Sequence, residues 1–415
     1  MCAVRFDILI IGFDIIVIRR ISVNIYDNYD KYMMKTYTRV KPAFVRGEGS
    51  WVFDEEGNKY LDLFPGWGTG LLGHCHPNVV KAIQEQAAKL IHLPNNYYNE
   101  LQPELAELVI KHSFPGKIFF CNSGAEAIEG SMKVARNWGK HQTKTKYKFV
   151  TTHNSFHGRT FGALTATAQE KYQAPFTPLV PGFSYVPYND IKAMEEVIDD
   201  ETVAVIIEPV QGEGGVNIPT KEYMQQLRQL CTDRNCLLIC DEVQTGVGRT
   251  GEWFGYQNFD ITPDIMAVAK IAGSGTPIGM IVAKPEIADL MQPGYHGSTY
   301  GGNPLVCAAS IATFKTIEED DLLTKAKNLK TKFDQYAKQL KDKYPNKIKD
   351  YRGLGAIYGI ELTKPGVPVS AYCLEKKVLC NCTHNVVLRF LPSALMTDEE
   401  LTLAFQVIDE AISNL

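Results

Sequence analysis

Short apolar runs alternate with stretches of helical spacing along most of this chain. Strand-like runs fall at 117–120, 147–151, 203–208, 237–241, 264–270 and 278–283. Runs this apolar suit strands covered on both faces of a parallel sheet. Residues 78–90 carry Val79, Val80, Ile83, Ala87 and Leu90 at helical spacing, and 101–112 repeat the pattern. The alternation predicts an α/β fold with a large, doubly wound, mostly parallel sheet. Ahead of it, residues 45–54 and 58–63 read as strands turning at Glu56-Gly57. After Asn303-Pro304, a charged amphipathic stretch over 305–344 reads as one long or broken helix. Strands at 356–362 and 386–390 and a helix from Asp398 close a smaller α+β unit. The expected division is 1–32 as an N-terminal extension outside the core and 33–75 as the first part of a small domain. Residues 76–304 form the large domain, and 305–415 the connecting helix and remainder of the small one.

The N-terminal run at 6–18 is apolar but interrupted by Asp7 and Asp14. It is shorter than the about 20 residues a membrane helix needs, and it lacks a signal-type cleavage site. We therefore read Met33 or Met34 as the natural start. The net charge of −4, from 43 basic and 47 acidic residues, gives no reason to expect a nucleic-acid or membrane partner. Ten cysteines are scattered, several of them in apolar runs (Cys121, Cys240, Cys307). That pattern fits reduced thiols and a cytoplasmic protein rather than a disulfide framework. Cys380-Asn381-Cys382-Thr383-His384 lacks the spacing of a zinc site, so metal: none is expected.

The chemistry-bearing residues sit at the ends of the apolar runs. Leu237-Leu238-Ile239-Cys240-Asp241 ends on a carboxylate, and the run at 264–270 ends on Lys270. Strand carboxyl ends are where open α/β sheets bind ligands. An acid and an amine at that edge form either a buried ion pair or the two ends of a pyridoxal phosphate site, with the lysine on its aldehyde and the aspartate on its ring nitrogen. Asn122-Ser123-Gly124-Ala125-Glu126-Ala127 reads as a strand stopping at a helix start, suited to phosphate or to a simple cap. Asn154-Ser155-Phe156-His157-Gly158-Arg159 offers a stacking ring and a carboxylate fork. Glu208-Pro209-Val210-Gln211-Gly212-Glu213 puts two acids in a glycine-rich loop with no Walker lysine. Ser298-Thr299 and Arg389 complete the set.

In order and spacing these motifs, with Asp241-Glu242-Val243-Gln244-Thr245-Gly246 and Lys270, resemble the class III (ornithine/acetylornithine-type) aminotransferases of fold type I. The resemblance runs from about Thr36 to the C-terminus. It implies pyridoxal 5'-phosphate as cofactor, with Lys270 as the Schiff-base lysine and Asp241 on the ring nitrogen. Val243 and Phe156 would pack on the ring faces, and Gln244 would bond the ring oxygen. Ser123, Gly124 and Ala125 would hold the phosphate, joined by Thr299 from the partner subunit of a homodimer with shared active sites. Arg159 would grip the distal carboxylate of either substrate, and Ser298 would touch substrate. Arg389 would bind the α-carboxylate of glutamate or 2-oxoglutarate and pair with Glu213 otherwise.

Some positions depart from the family pattern. Ile128 stands where a polar residue is expected. The post-lysine loop at 272–277 is a variant. Trp67 either narrows the substrate mouth or packs at the domain junction. His74-Cys75-His76-Pro77 reads as a structural turn. Residues 95–100, 162–168 and 387–392 resemble the acetylornithine branch. They imply transfer from N2-acetyl-L-ornithine to 2-oxoglutarate, a step of arginine biosynthesis. Ornithine, succinylornithine, succinyldiaminopimelate and 4-aminobutyrate stay open as donors. A related aminomutase would have no need of the Glu213–Arg389 arrangement, and a non-catalytic scaffold would be expected to lack Lys270 or Asp241.

Overall fold

The computed structural model describes residues 7–11, 14–18 and 25–415. By internal contacts the chain divides into two units, Met1–Arg46 with Phe53–Asn58, and Gly47–Val52 with Lys59–Leu415. In the first, Asp7–Ile11 and Asp14–Ile18 form an antiparallel pair, followed by the helix Ile25–Tyr32. The Tyr26 hydroxyl donates to Glu55 Oε1 (3.2 Å). Asp54 Oδ1 accepts the Asn58 amide (2.8 Å) and so holds the turn expected at Glu56-Gly57. Of the segment read as an N-terminal extension, residues 1–6, 12–13 and 19–24 lie outside the described residues.

The second unit is built on a seven-stranded sheet. Its strands are β1 (Lys117–Cys121), β2 (Lys148–Thr152), β3 (Phe183–Val186), β4 (Thr202–Ile207), β5 (Leu237–Asp241), β6 (Ile265–Val268) and β7 (Gly279–Ala283). Their spatial order is β1-β7-β6-β5-β4-β2-β3. Only β7 runs antiparallel to its neighbours. Strands β4, β5 and β6 are buried along their whole length, so β-branched and apolar residues are packed on both faces. The helix Gly124–Gln142 follows β1 directly, and Ser123 Oγ caps it by accepting the Glu126 amide (3.2 Å).

A second sheet comes from the C-terminal quarter. It contains β8 (Ile348–Leu354), β9 (Ile357–Leu362), β10 (Asn381–Thr383) and β11 (Val387–Phe390), in the order β8-β9-β11-β10. Its core face packs on Phe333 of the helix Leu322–Lys343, with ring centroids 5.1 Å from Tyr358, 5.6 Å from Phe390 and 5.2 Å from Phe405. Because neighbouring strand residues face opposite ways, anchoring Phe390 in that core turns Arg389 to the other face.

Two local expectations change, and one open alternative is decided. The run at 264–270 is not one strand: β6 stops at Val268, and Lys270 takes φ 49° at the start of a 3-10 turn. A left-handed residue cannot continue a pleat. The stretch 305–344 is two helices, Pro304–Glu319 and Leu322–Lys343, broken at Asp321, whose φ is 49°. The edge strand β3 was not expected, because its first three residues are only half-buried and its apolar pattern is weak. Among the described residues every cysteine is free, no helix is long and apolar enough to cross a membrane, and no group of side chains has the makings of a metal site.

Removing the Phe333 ring should cost about 3–5 kcal/mol, as for other large-to-small core changes. A Phe333→Ala chain is therefore expected to unfold at a clearly lower temperature in calorimetry.

Candidate active site

The sheet's buried centre admits polar side chains only at its ends, and three adjacent strands end in ionisable residues. Asp241 closes β5, Glu208 follows β4 and Lys270 follows β6 by two residues. All three line one cavity of about 430 Å³, together with Thr69, Asn122, Ser123, Gly124, Ala125, Phe156, Arg159, Glu213, Val243, Gln244 and Thr276.

Asp241 is 4% exposed. Its Oδ1 accepts the Val243 amide (3.0 Å) and its Oδ2 lies 2.7 Å from His157 Nδ1. A carboxylate only accepts, so the imidazole proton sits on Nδ1. His157 Nε2 is buried and has no partner among the described residues. The sequence reading passed over this histidine, although it stands between Phe156 and Arg159. Glu208 was passed over too, although strand-end position marked it as it marked Asp241. Its Oε2 accepts the Phe156 amide (3.2 Å). Burial, and then the Asp241 charge, push its carboxyl well above the usual range.

Burial lowers the Lys270 ammonium below an ordinary lysine. Glu213 opposes that shift and Arg389 adds to it. The lysine therefore reaches its neutral, nucleophilic form at lower pH than a surface lysine. Its left-handed backbone is of the strained kind that persists where surroundings dictate it.

Glu213 and Arg389 are in contact. Arg389 Nη1 donates to Glu213 Oε1 at 2.8 Å, and the Arg389 side chain is 0% exposed. Glu213, not Arg389, lines the cavity, so the acid stands in front of the guanidinium. Burial opposes ionisation of Glu213, yet Arg389 holds its carboxyl below the usual value. Arg159 is exposed, with Cζ 3.9 Å from the Tyr172 ring centroid and 5.4 Å from that of Phe156. These rings steer its fork without neutralising it.

Ser298 and Thr299 do not join this cavity. They line another, of about 800 Å³, with His92, Asn95 and His296. The two are linked where Asn122 Nδ2, on the wall of the first, donates to Ser298 Oγ (3.1 Å). Ile128 is fully buried and packs in the core beneath the helix Gly124–Gln142. Trp67 is 54% exposed, with φ 56°, and meets the Phe64 ring edge-on at 5.3 Å. It is absent from the cavity wall. His74 Nε2 lies 2.9 Å from Asp62 Oδ2, a contact that holds the turn.

The donor set suits a flat, anionic pyridine cofactor. A buried acid fixed by a histidine matches a ring nitrogen, and a buried amine of lowered basicity matches an aldehyde. Helix-start amides match a phosphate. A Cβ on Gly124 would come within 2.6 Å of Val243 Cγ1, so glycine lets the helix start lie this close to Val243.

Comparison with known proteins places the chain in a family. The aminotransferase class III family matches residues 32–412. The acetylornithine aminotransferase of Caldanaerobacter subterraneus is 47% identical over 387 residues, which are 93% of this chain and 98% of that protein. Among solved structures, the ornithine aminotransferase of Toxoplasma gondii superposes with a TM-score of 0.90 at 31% identity, covering 94% of both chains. The acetylornithine aminotransferase of Elizabethkingia anophelis gives 0.84 at 30%, covering 94% of this chain and 98% of that one.

A methyl group at Gly124 must displace Val243, and overpacking of this kind costs about 1–3 kcal/mol. Gly124→Ala is therefore expected to weaken pyridoxal phosphate binding by about tenfold. Cofactor titration followed by absorbance checks this, with circular dichroism unchanged.

Proposed function

The chain belongs to the class III aminotransferases, which are pyridoxal-phosphate enzymes, and from that premise we propose that it moves the ω-amino group of N2-acetyl-L-ornithine to 2-oxoglutarate. The products are N-acetyl-L-glutamate 5-semialdehyde and L-glutamate, and the reaction is a step of arginine biosynthesis. The observation that carries this reading is the buried Arg389 screened by Glu213 at the cavity wall. Its companions are the exposed Arg159 and the acetylornithine aminotransferases among the similar proteins.

Bound pyridoxal phosphate supplies an aldehyde that takes up the amino group and a ring that withdraws electrons from the neighbouring carbon. Lys270 Nζ, its basicity lowered by burial, takes the proton from the amino-bearing carbon of the donor. Asp241, held by His157, would face the ring nitrogen. Phe156 and Val243 would cover the ring faces, Gln244 would meet the ring oxygen, and Ser123, Gly124 and Ala125 would hold the phosphate. Arg159 takes the carboxylate far from the reacting carbon in either substrate. The donor's reacting carbon bears no carboxylate, so Glu213 neutralises Arg389 while the donor is bound. When 2-oxoglutarate binds, its α-carboxylate takes the place of Glu213. A buried guanidinium left unpaired in either half-reaction would be strongly unfavourable.

We also propose a homodimer in which Thr299 and Ser298 complete the site of the other subunit; their position outside this chain's own cavity supports it. A cytoplasmic location belongs to the same reading and is supported by the free cysteines.

The test is a panel of ω-amino donors with 2-oxoglutarate. Acetylornithine is expected to have the highest kcat/KM, and a clear preference for ornithine or 4-aminobutyrate would reject the assignment. L-Glutamate alone should convert the bound cofactor from its aldehyde to its amine form, and an unchanged absorption spectrum would remove the aminotransferase reading. Glu213→Ala is expected to slow the donor half-reaction relative to the glutamate half-reaction by about tenfold or more, equivalent to ~1.4 kcal/mol, with cofactor affinity little changed. Stopped-flow rates of the two halves give the ratio, and equal losses in both would speak against the switch.

A further inference from the structure

The strand β10 (Asn381–Thr383), set aside in the sequence as a cysteine–histidine cluster, touches both members of the Glu213–Arg389 pair. Thr383 Oγ1 donates to the Glu213 backbone carbonyl at 2.8 Å. Asn381 Oδ1 accepts from Arg389 Nε at 3.2 Å and from Nη2 at 3.0 Å. The two residues are two apart on one strand and so share a face. Asn381 lies directly across from Arg389 in the antiparallel ladder, the placement in which side chains meet best. Cys382, between them, instead donates to the Asn385 carbonyl (3.3 Å).

This arrangement divides the guanidinium. Its Nε–Nη2 edge is taken by a neutral amide oxygen, and the Phe64 ring lies 4.9 Å from Cζ. The Nη1 end meets Glu213 at 2.8 Å and Gln244 Oε1 at 3.5 Å. A carboxylate arriving from the cavity therefore finds only the Nη1–Nη2 end, where Glu213 now sits. The amide satisfies buried N–H groups without neutralising the charge, so the full attraction is kept for the carboxylate.

We propose that Asn381 is a positioning residue for substrate selection: by occupying the side edge of Arg389 with a neutral acceptor, it aims the other end at the α-carboxylate of 2-oxoglutarate or glutamate. The proposal rests on the aminotransferase reading above. Asn381→Asp keeps the shape but supplies a second carboxylate. Arg389 then stays neutralised in both half-reactions, so the donor half is spared and the dicarboxylate half is not.

The holoenzyme carrying Asn381→Asp is compared with the unaltered holoenzyme. The KM for 2-oxoglutarate is expected to rise about tenfold or more, since charge-assisted hydrogen bonds are the strong ones. The dissociation constant for glutarate, an unreactive dicarboxylate, should rise by a similar factor, while the donor half-reaction rate stays within about threefold. Asn381→Ser, which shortens the acceptor without adding charge, is read in the same way and should shift KM and glutarate affinity in the same direction by less. Equal losses in both half-reactions, or unchanged glutarate binding in both variants, would overturn the proposal. Failure of the unaltered enzyme to convert glutamate would sink the aminotransferase reading alone, because the glutarate affinities still judge Asn381.

Discussion

Burial of the sheet on both faces is the constraint from which the site follows. Strands β4, β5 and β6 have no exposed residue, and an unpaired polar group among them would be expensive. Polar chemistry is therefore confined to the strand ends. Because the three strands are parallel neighbours, Glu208, Asp241 and Lys270 emerge at the same edge. The fold thus gathers two acids and an amine in one cavity, at or just beyond the ends of these strands.

Once gathered, these groups alter one another. Asp241 helps burial to raise Glu208, while burial lowers Lys270. His157 takes one oxygen of Asp241 and the Val243 amide the other, so that carboxylate is held in place from both sides. Arg389, paired with Glu213, comes from a different sheet. The aromatic cluster around Phe333 anchors Phe390, and strand alternation then delivers Arg389 to the opposite face. The same sheet holds the Glu213 loop, since Arg352 donates to the carbonyls of Gly215 (2.6 Å) and Val216 (2.9 Å). Thr383 Oγ1 donates to the Glu213 carbonyl as well, so the backbone around Glu213 is held on both sides. A cavity made by one sheet is in this way tuned by another.

Much of this was legible in the chain. The apolar run 237–241 announced β5, because a strand buried on both faces leaves little choice of residue, and the run 117–120 announced β1. The ordered motifs from Ser123 to Arg389 identified the family and its cofactor. The same local signals failed where a single backbone angle decided the outcome. Lys270 looked like the last residue of a strand, but its left-handed conformation is set by surrounding packing and leaves no mark in hydrophobicity. Ile128 looked anomalous against the family pattern, yet it is an ordinary core residue on the buried side of its helix.

The sequence by itself determined which chemistry is possible, since residue type and order decide that an acid, an amine and an anion-binding helix start lie at one sheet edge. Only the tertiary structure decided which groups face one another. Asn381 lies 8 residues from Arg389 in the chain and Glu213 lies 176 away, and no local pattern relates the three. Their meeting follows from strand register and from the packing of one sheet's loop against another, quantities that depend on every residue of the core and are written in no single motif.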